Sequence, residues 1–425
     1  MTVTLLFIGL LLLLLIGVPI AISLGASSLA YVLLATEDSP VVIAQKLFDT
    51  MEHTTLLAIP FFILSSHFLT TGGVSARLIE FAKSMVGWAH GGLAMAGVVA
   101  CMLFAAISGS SPATVVAIGS IMIPGMIRAG YTPQYSVGVI ATAGSMGILI
   151  PPSIPMIVYA DAVEESVGKM FIAGILPGLL MGTLLLLATW VTARRMNMPR
   201  EPWQGVGHFF KSFGRAFSGL FLIFIVVGGI YGGVFTPTEA AAVAAVYSAF
   251  IALFVHKDMT LADVPKVMLD SAKMTAVIMF IIACAMIFAH VLTEQQVPQN
   301  LSKMVIEHNL SPSMFLLMVN VILWFAGDFM EPSSILLILS PLFHPIALNL
   351  GIDPIHLGII MTTNMEVGMI TPPVGLNLYV AAGLTGMSLG QVTRAALPWM
   401  AVLIVALIII TYVPWFSLYL VGLMF

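Results

Sequence analysis

A double proline inside apolar sequence is the feature that most limits what this chain can fold into. The stretch begins at Glu366 and reads EVGMITPPVGLNLY. Pro372 and Pro373 remove two successive backbone donors, so no α-helix continues through them undisturbed. An unpaired carbonyl in lipid costs several kcal/mol, so such a break survives only where it lines a cavity or binds something. Oxygen-bearing side chains, among them Thr371 and Asn377, surround it.

The same double proline occurs earlier in the chain, in the stretch GILIPPS that begins at Gly147. One constant offset in residue number relates Gly147 to Gly368. The same offset relates four proline pairs: Pro124 and Pro345, Pro133 and Pro354, Pro152 and Pro373, Pro177 and Pro398. We interpret this as an internal duplication with one interrupted helix in each half. Matched interruptions are the best sequence indication of a transporter binding site, and two unrelated proline kinks are the plain alternative.

The composition excludes a soluble domain. Hydrophobic residues make up 60% of the 425 residues and charged residues only 8%, whereas soluble domains carry about 25% charged residues. At about 20 residues per span there is room for roughly 11–14 crossing or re-entrant segments. The chain is therefore predicted to be an all-α polytopic membrane protein in contact with lipids. No basic stretch suggests nucleic acid as a partner, and Cys101 and Cys284 lie in apolar runs typical of buried cysteines.

Four regions follow from the breaks and the polar stretches. Residues 1–90 are predicted to form N-terminal scaffold helices, and residues 91–193 a first transport repeat with a hairpin, a broken helix and a following span. Residues 194–310 are predicted to hold a cytoplasmic linker and scaffold helices, and residues 311–425 the second repeat and a C-terminal span. The basic stretch 194–215 is cytoplasmic by the positive-inside rule.

Local signals within these regions predict two hairpins and one helix start. Polar breaks at 108–112 and 327–332 interrupt apolar sequence, match with one residue of slippage, and predict re-entrant helical hairpins. Thr236 and Glu239 flank Pro237 in the pattern of a capping box, which favours a structural role for Glu239 over a ligand role. The apolar run from residue 3 to residue 34 is predicted to be one long helix with a kink at Gly17 and Pro19.

No catalytic set is visible in the sequence, so we do not expect an enzyme. The chain has no Walker lysine motif, no His-x-x-x-His pattern and no cysteine cluster. Oxygen ligands at helix breaks remain. Two cages suited to sodium are predicted, one from Ser108, Ser110, Ser111 and the carbonyls of 147–151, the other from Gly327, Gly368, Thr371 and Val374. For each serine taken singly, a helix cap or a packing contact is the alternative.

Three ionisable residues, Asp328, Glu331 and Glu366, lie inside hydrophobic sequence. Such residues are functional hypotheses by default because burying a charge in the membrane is costly. Asp328 and Glu331 precede a helix that starts near Pro332, so capping of its positive end is an equally good interpretation.

Four motifs, in this order along the chain, resemble the large membrane subunit of TRAP (tripartite ATP-independent periplasmic) transporters. They are SGSSPAT at 108–114, GILIPPS at 147–153, GVFTPTEA at 233–240 and EVGMITPPVGLN at 366–377. The likeness covers essentially the whole chain. It implies a multi-pass protein of the bacterial inner membrane with the architecture of the ion transporter superfamily, in which inverted repeats with two re-entrant hairpins move like an elevator.

The resemblance also implies function and partners. It implies sodium-driven uptake of an organic acid, such as a C4-dicarboxylate or sialic acid, that a soluble periplasmic binding protein delivers. A small four-helix membrane subunit is the other expected partner, and it is not expected to be fused to this chain. Matching motifs imply sodium ligands at the serine-rich break, Gly147, Ile150, Pro151, Gly327, Gly368, Thr371 and Val374. They imply substrate contacts at Ser108, Ser153 and Asp328, to which we add Asn377 beside the second break.

Two other functions stay open at this point. A stand-alone sodium- or proton-coupled organic-anion transporter or antiporter would work without a binding protein. A membrane-embedded enzyme would need a polar catalytic pair, which the sequence does not display.

Overall fold

The computed structural model describes residues 2–35, 41–200, 202–307, 309–328, 330–372 and 375–425. Val374, one of the predicted sodium ligands, lies outside these residues. Every regular element within the described ranges is helical. Eight helices in these ranges are long and apolar enough to cross a membrane. The prediction of an all-α polytopic membrane protein is therefore confirmed.

The first half of the chain contains an N-terminal group of helices and the first repeat. The N-terminal group comprises α1 (Thr2–Leu15), α2 (Ile20–Ala35), α3 (Val41–Met51), α4 (Ala58–Thr71) and α5 (Val74–Val86). The first repeat comprises α6 (Gly92–Ser108), α7 (Ser111–Arg128), α8 (Pro133–Ser145), α9 (Ile154–Ala162) and α10 (Val167–Arg195). The kink predicted near Pro19 is a complete break between α1 and α2, since Gly17 adopts φ +86° there.

The second half contains a middle group and the second repeat. The middle group comprises α11 (Val206–Ile223), α12 (Gly229–Tyr231), α13 (Pro237–Phe250), α14 (Val264–Glu294) and α15 (Val297–Glu307). The second repeat and the end of the chain comprise α16 (Pro312–Gly327), α17 (Pro332–Asn349), α18 (Pro354–Gly368), α19 (Leu376–Thr385), α20 (Leu389–Tyr412) and α21 (Trp415–Met424). The capping box at the start of α13 is present, with the Thr236 side chain accepting from Glu239 N.

The helix bounds confirm the duplication. The first and last residues of α17 follow those of α7 by the same offset in residue number that relates the proline pairs. The first residue of α18 follows that of α8 by this offset too. The hairpin turns differ in length by two residues, where the sequence predicted a slippage of one. Helix α6 ends at Ser108 and leaves two residues before α7, whereas α16 ends at Gly327 and leaves four before α17.

The two repeats run in opposite directions across the membrane, with the long helix α10 as the reference. Helix α8 starts beside the end of α10, where Tyr135 Oη donates to Thr189 O at 3.2 Å. Helix α18 starts beside the beginning of α10, where a β-carbon on Gly358 would lie 2.8 Å from Met170 Cε. Because α10 spans the membrane, α8 and α18 begin on opposite faces, and the predicted inversion is confirmed.

Both hairpins are re-entrant. Helix α6 starts where Gly91 packs against Ala193 near the end of α10, and α7 returns to the same face before α8 begins there. Helix α16 starts beside the end of α20, where Tyr412 Oη donates to Ser313 O at 3.4 Å. Helix α17 returns to that face before α18 starts, where His356 Nε2 lies 3.2 Å from Thr411 O. Hairpin 1 (α6–α7) and hairpin 2 (α16–α17) thus enter from opposite sides.

Charge distinguishes the two faces. The face at which α10 ends carries Arg128, Arg194, Arg195 and Arg394. The opposite face carries Asp161, Glu164, Glu165 and Asp353. Since cytoplasmic loops carry the excess of Lys and Arg, the face where α10 ends is cytoplasmic, as predicted for the stretch 194–215.

Helices of one repeat pack on helices of the other near the middle of the molecule. Helix α7 packs on α19, and the equivalent helix α17 packs on α9. Helix α8 packs on α20, and α18 packs on α10. The long helix α14 packs against α2 and α4 on one side and against α17 on the other. The two helix breaks and the two hairpin tips therefore lie together, next to α14.

Candidate functional site

The first break, residues 147–153, frees two backbone carbonyls because of its proline pair. In an uninterrupted helix the amides of residues 151 and 152 would donate to Gly147 O and Ile148 O, but Pro151 and Pro152 have no N–H. The Ser153 hydroxyl donates to Ile148 O instead. Ser153 also accepts from Met156 N at 3.3 Å and so caps α9.

The second break, residues 368–375, repeats this arrangement with different substitutes. Pro372 cannot donate to Gly368 O, which accepts from Thr371 N at 3.1 Å. The Met369 carbonyl, the counterpart of the Ile148 carbonyl, accepts from Asn377 N at 3.0 Å. The repeats thus satisfy equivalent carbonyls with a serine hydroxyl in one half and a backbone amide in the other.

The tip of hairpin 1 packs directly on the first break. A β-carbon on Gly147 would lie 2.6 Å from Ser110 O, so only glycine permits this approach. Gly109, at φ +62°, brings its carbonyl within 3.4 Å of Ile154 N at the start of α9. The tip therefore covers the freed carbonyls of the break.

The tip of hairpin 2 packs on the second break in the same way. A β-carbon on Gly368 would lie 2.8 Å from Gly327 Cα, and one on Gly327 would lie 3.0 Å from Gly368 Cα. The two glycines that the sequence predicted as ligands are thus in backbone contact across the hairpin and the break.

A hydroxyl cluster stabilises the tip of hairpin 1. Ser108 Oγ lies 2.9 Å from Thr114 Oγ1 and 3.3 Å from Ser110 O. Thr114 Oγ1 donates to Ser110 O at 2.8 Å. Two of these oxygens, Ser110 O and Thr114 Oγ1, lie within one helical turn and both border Gly147.

Thr371 gives the second break its only hydroxyl among the described residues 368–372 and 375. Its Oγ1 donates to Val367 O at 2.6 Å and lies 3.4 Å from Met400 Sδ. Trp324 Nε1, on α16, donates to the same oxygen at 3.3 Å. Thr371 is 7% exposed, so this oxygen is protected from solvent.

A cavity of about 190 Å³ lies where both hairpin tips and both breaks meet α14. Its polar wall includes Ser110, Ser111, Glu331 and Ser333. Its apolar wall is the face of α14 that carries Met274, Val277, Ile278 and Ile281. Drug-sized ligands occupy pockets of roughly 300–1,000 Å³, so a cavity of this size suits a ligand of few heavy atoms.

Four helices point their N-termini at this cavity. Its lining includes Ser111 of α7, Ile154 of α9, Pro332 of α17 and Leu376 of α19, each in the first turn of its helix. A helix N-terminus carries a partial positive charge of about half an elementary charge and free N–H donors. Apart from α17, whose end is capped by Glu331, such ends favour a small anion without a lysine or arginine among the described lining residues.

The two hairpins differ at equivalent N-caps. Glu331 caps α17, and its carboxylate accepts from Ser333 Oγ at 2.8 Å and from Ser334 N at 3.2 Å. The equivalent residue in the first repeat is Ser110, whose side chain makes no cap hydrogen bond to α7. The positive end of helix α17 is therefore capped by the Glu331 carboxylate, whereas the N–H groups at the start of α7 have no side-chain cap and are available to a ligand.

The four predicted substrate contacts lie behind the cavity wall in this structure. Ser108, Ser153, Asp328 and Asn377 are absent from the described residues that line it. Asn377 is nonetheless close, since its Nδ2 donates to the cavity residue Ser111 at 2.6 Å. These substrate roles stay predictions.

Several buried oxygens near the second break have no hydrogen-bond partner among the described residues. They are Asp328 Oδ1, Asn364 Oδ1, Asn377 Oδ1 and both carboxylate oxygens of Glu366. Glu366 and Asn377 are fully buried. An unpaired buried carboxylate is costly, so Glu366 is a buried ionisable residue for which a functional role is the default hypothesis.

The oxygen sets at the two breaks fit a monovalent cation. The structure brings Ser108 and Ser110 to Gly147, with Ile150 and Pro151 following in the same break, and brings Gly327 and Thr371 to Gly368. These ligands are hydroxyls and carbonyls without full charge. Among the described residues there is no cluster of three His, Cys, Asp or Glu suited to a transition metal.

Sequence reasoning missed three parts of the site. Thr114 was passed over, although it lies one helical turn after Ser110. Ser333 and the α14 face carry no sequence signal, since an apolar face on a spanning helix normally contacts lipid. Trp324 lies in apolar sequence without a neighbouring polar signal, and its indole N–H bond depends on the position of hairpin 2.

Comparison with known proteins agrees with this architecture. The family model for the tripartite ATP-independent periplasmic transporter DctM component matches residues 7–416. The chain belongs to this TRAP transporter family. It is 60% identical over 396 residues to the C4-dicarboxylate TRAP transporter large permease protein DctM of Pseudomonas aeruginosa, covering 93% of each chain. It is 53% identical to the protein of the same name from Vibrio cholerae, covering 99% of this chain and 97% of the relative.

A solved structure has a similar fold. The YdaH transporter of Alcanivorax borkumensis superposes with a TM-score of 0.64 at 18% identity, covering 99% of each chain. This likeness concerns the fold alone. Membership of the TRAP family confirms the resemblance inferred from the four motifs, and with the spanning helices it identifies a multi-pass protein of the inner membrane.

Proposed function

We propose that this protein imports a C4-dicarboxylate across the inner membrane and is driven by sodium. The observation that carries the proposal is the cavity at the meeting point of both hairpin tips, lined by the first turns of four helices, three of which (α7, α9 and α19) have no capping carboxylate. An importer for a small dianion needs concentrated positive potential without a fixed cation that would hold the substrate too tightly, and helix N-termini supply it.

The choice of C4-dicarboxylates over other organic acids rests on two points. The Pseudomonas and Vibrio relatives, at 60% and 53% identity, are named for C4-dicarboxylates. The cavity of about 190 Å³ with one apolar wall suits two carboxylates joined by a short methylene chain. A nine-carbon sugar acid such as sialic acid would need more space than this cavity offers.

Sodium coupling is supported by the paired oxygen sets beneath the hairpin tips. The Gly147 carbonyl, and the Gly368 carbonyl with its one bond from Thr371 N, each lie under a tip, so a cation bound there would hold the tip in place and complete the cavity. Sodium and substrate would then favour the same arrangement, which is the thermodynamic requirement for coupling. An elevator motion would carry hairpins, breaks and cavity together past α14, whose wall residues are apolar.

The proposal includes two partners, a soluble periplasmic binding protein and a small membrane subunit. Family membership supports them, because the family is described as tripartite.

Reconstituted uptake tests the proposal. Proteoliposomes containing this protein and its small subunit should accumulate radiolabelled succinate only when the binding protein and an inward sodium gradient are both supplied. Replacing sodium by choline is the matched control. Uptake without the binding protein would favour the stand-alone transporter, and uptake driven by a proton gradient alone would refute sodium coupling.

A further inference from the structure

The indole of Trp324 makes one hydrogen bond that neither the motifs nor the family resemblance points to. Its Nε1 donates to Thr371 Oγ1 at 3.3 Å, from α16 of hairpin 2 to the second break. Thr371 is the residue of this break that we predict to bind sodium through its side chain. The contact therefore joins a hairpin directly to a predicted cation ligand.

Two hydrogen bonds, one donated by Trp324 and one donated to Val367, orient the Thr371 hydroxyl. An indole N–H only donates, so Thr371 Oγ1 must accept from Trp324. The hydroxyl proton of Thr371 is directed to Val367 O at 2.6 Å. A hydroxyl oxygen has two acceptor sites, so one remains for a cation once Trp324 occupies the other.

The position of Trp324 makes this bond a reporter of hairpin position. Trp324 lies three residues before Gly327, whose Cα is in contact with Gly368 at the break. Lifting the tip of hairpin 2 from the break would move Trp324 away from Thr371 as well. The Thr371 hydroxyl would keep its bond to Val367 O but lose the indole donor, so only one hydrogen bond would then orient its oxygen.

We propose that Trp324 is a positioning residue for the second cation site, orienting Thr371 only when hairpin 2 is packed on the break. The inference rests on the sodium coupling proposed above and adds to it. The first repeat has no equivalent, because Ala105 stands three residues before the end of α6, as Trp324 does before the end of α16, and Ile150 corresponds to Thr371. The two cation sites therefore differ, and only the second depends on a side-chain donor from its hairpin.

Trp324→Phe tests the proposal while keeping an aromatic ring. The ring is 39% exposed in a shallow groove between α16 and α20, so its replacement should leave folding intact. Removing one neutral hydrogen bond should raise the sodium concentration for half-maximal stabilisation by about fivefold. The readout is the sodium-dependent shift in Tm of the purified protein without substrate, compared with choline.

A double-mutant cycle distinguishes a positioning effect on Thr371 from a general loss of protein stability. Thr371→Ala removes the ligand oxygen itself, so adding Trp324→Phe should have little further effect on sodium affinity. Trp415→Phe, at an exposed ring stacked on Tyr419, is the matched control and should behave as wild type. In uptake assays, Trp324→Phe should raise the sodium requirement while the KM for succinate at saturating sodium stays unchanged.

The outcomes distinguish this inference from the proposed function. If sodium stabilises the wild type and Trp324→Phe equally, or if the two substitutions add in full, the positioning role is wrong while sodium coupling stands. If sodium does not stabilise the wild type over choline, the sodium coupling itself is wrong.

Discussion

At the scale of single residues, proline pairs decide which backbone oxygens are available. Each pair removes the donors of a glycine carbonyl and of the carbonyl that follows it. The carbonyl that follows the glycine accepts from Ser153 Oγ in the first repeat and from Asn377 N in the second. The availability of the Gly147 and Gly368 carbonyls could thus be predicted from the sequence, whereas their partners could not, because those depend on how the chain turns after each break.

Asp328 is the residue whose charge we expect to matter most for transport. Its Oδ1 is buried without a partner among the described residues, whereas Glu331 makes the cap bond to α17. Asp328→Asn removes the charge but keeps the shape, so we predict strongly reduced uptake with normal insertion and assembly. The measurement is succinate uptake normalised to the amount of purified complex.

Asp263→Asn is the matched control for Asp328→Asn. Asp263 accepts from Thr260 N at 2.9 Å in the cytoplasmic turn before α14, far from the cavity. We expect this variant to transport as wild type, because the amide oxygen of asparagine can still accept from Thr260 N. Near-normal transport by Asp328→Asn as well would make Asp328 a structural residue.

At the scale of elements, each hairpin tip and the break beneath it form one unit. The hairpins, the broken helices and the capping box of α13 were predictable because prolines, glycines and polar breaks mark them. The separation of α1 from α2, the turn lengths of the hairpins and the contact of α14 with the cavity were not. They depend on packing between segments that are far apart in sequence.

Glycine at each tip contact should be required for transport. Gly147→Ala and Gly368→Ala would place a methyl group within 2.6 Å of Ser110 O and 2.8 Å of Gly327 Cα, respectively. Overpacking of this kind costs roughly 1–3 kcal/mol, so the tip should separate from the break. We predict loss of most uptake and of sodium-dependent stabilisation in both variants.

Gly383→Ala in α19 is the control for these glycine variants. Nothing lies within 4 Å of the position of its added β-carbon, and alanine favours a helix interior. Its uptake should match wild type. If Gly147→Ala and Gly368→Ala also kept wild-type sodium dependence, close contact between tip and break would not be needed for cation binding.

At the scale of the whole molecule, inversion of the repeats directs α10 and α20 in opposite senses. In a background with Cys101 and Cys284 replaced, Met196→Cys, just after α10, should be labelled only from the cytoplasmic side. Met424→Cys should be labelled only from the periplasmic side, because the neighbouring Phe425 ring lies 5.9 Å from Lys169 Nζ at the start of α10. Labelling of both from one side would contradict the inverted arrangement.

The central claim is that substrate bound in the cavity and sodium bound beneath the hairpin tips stabilise the same arrangement of the tips against α14. Val277, on the α14 wall, is 60% exposed and contributes no polar group to binding. In the same cysteine-free background, the rate at which a methanethiosulfonate reagent modifies Val277→Cys measures access to this cavity. Succinate and sodium together should slow the modification substantially, while either alone should do so only weakly. An unchanged rate with both present would place the substrate elsewhere and contradict the account.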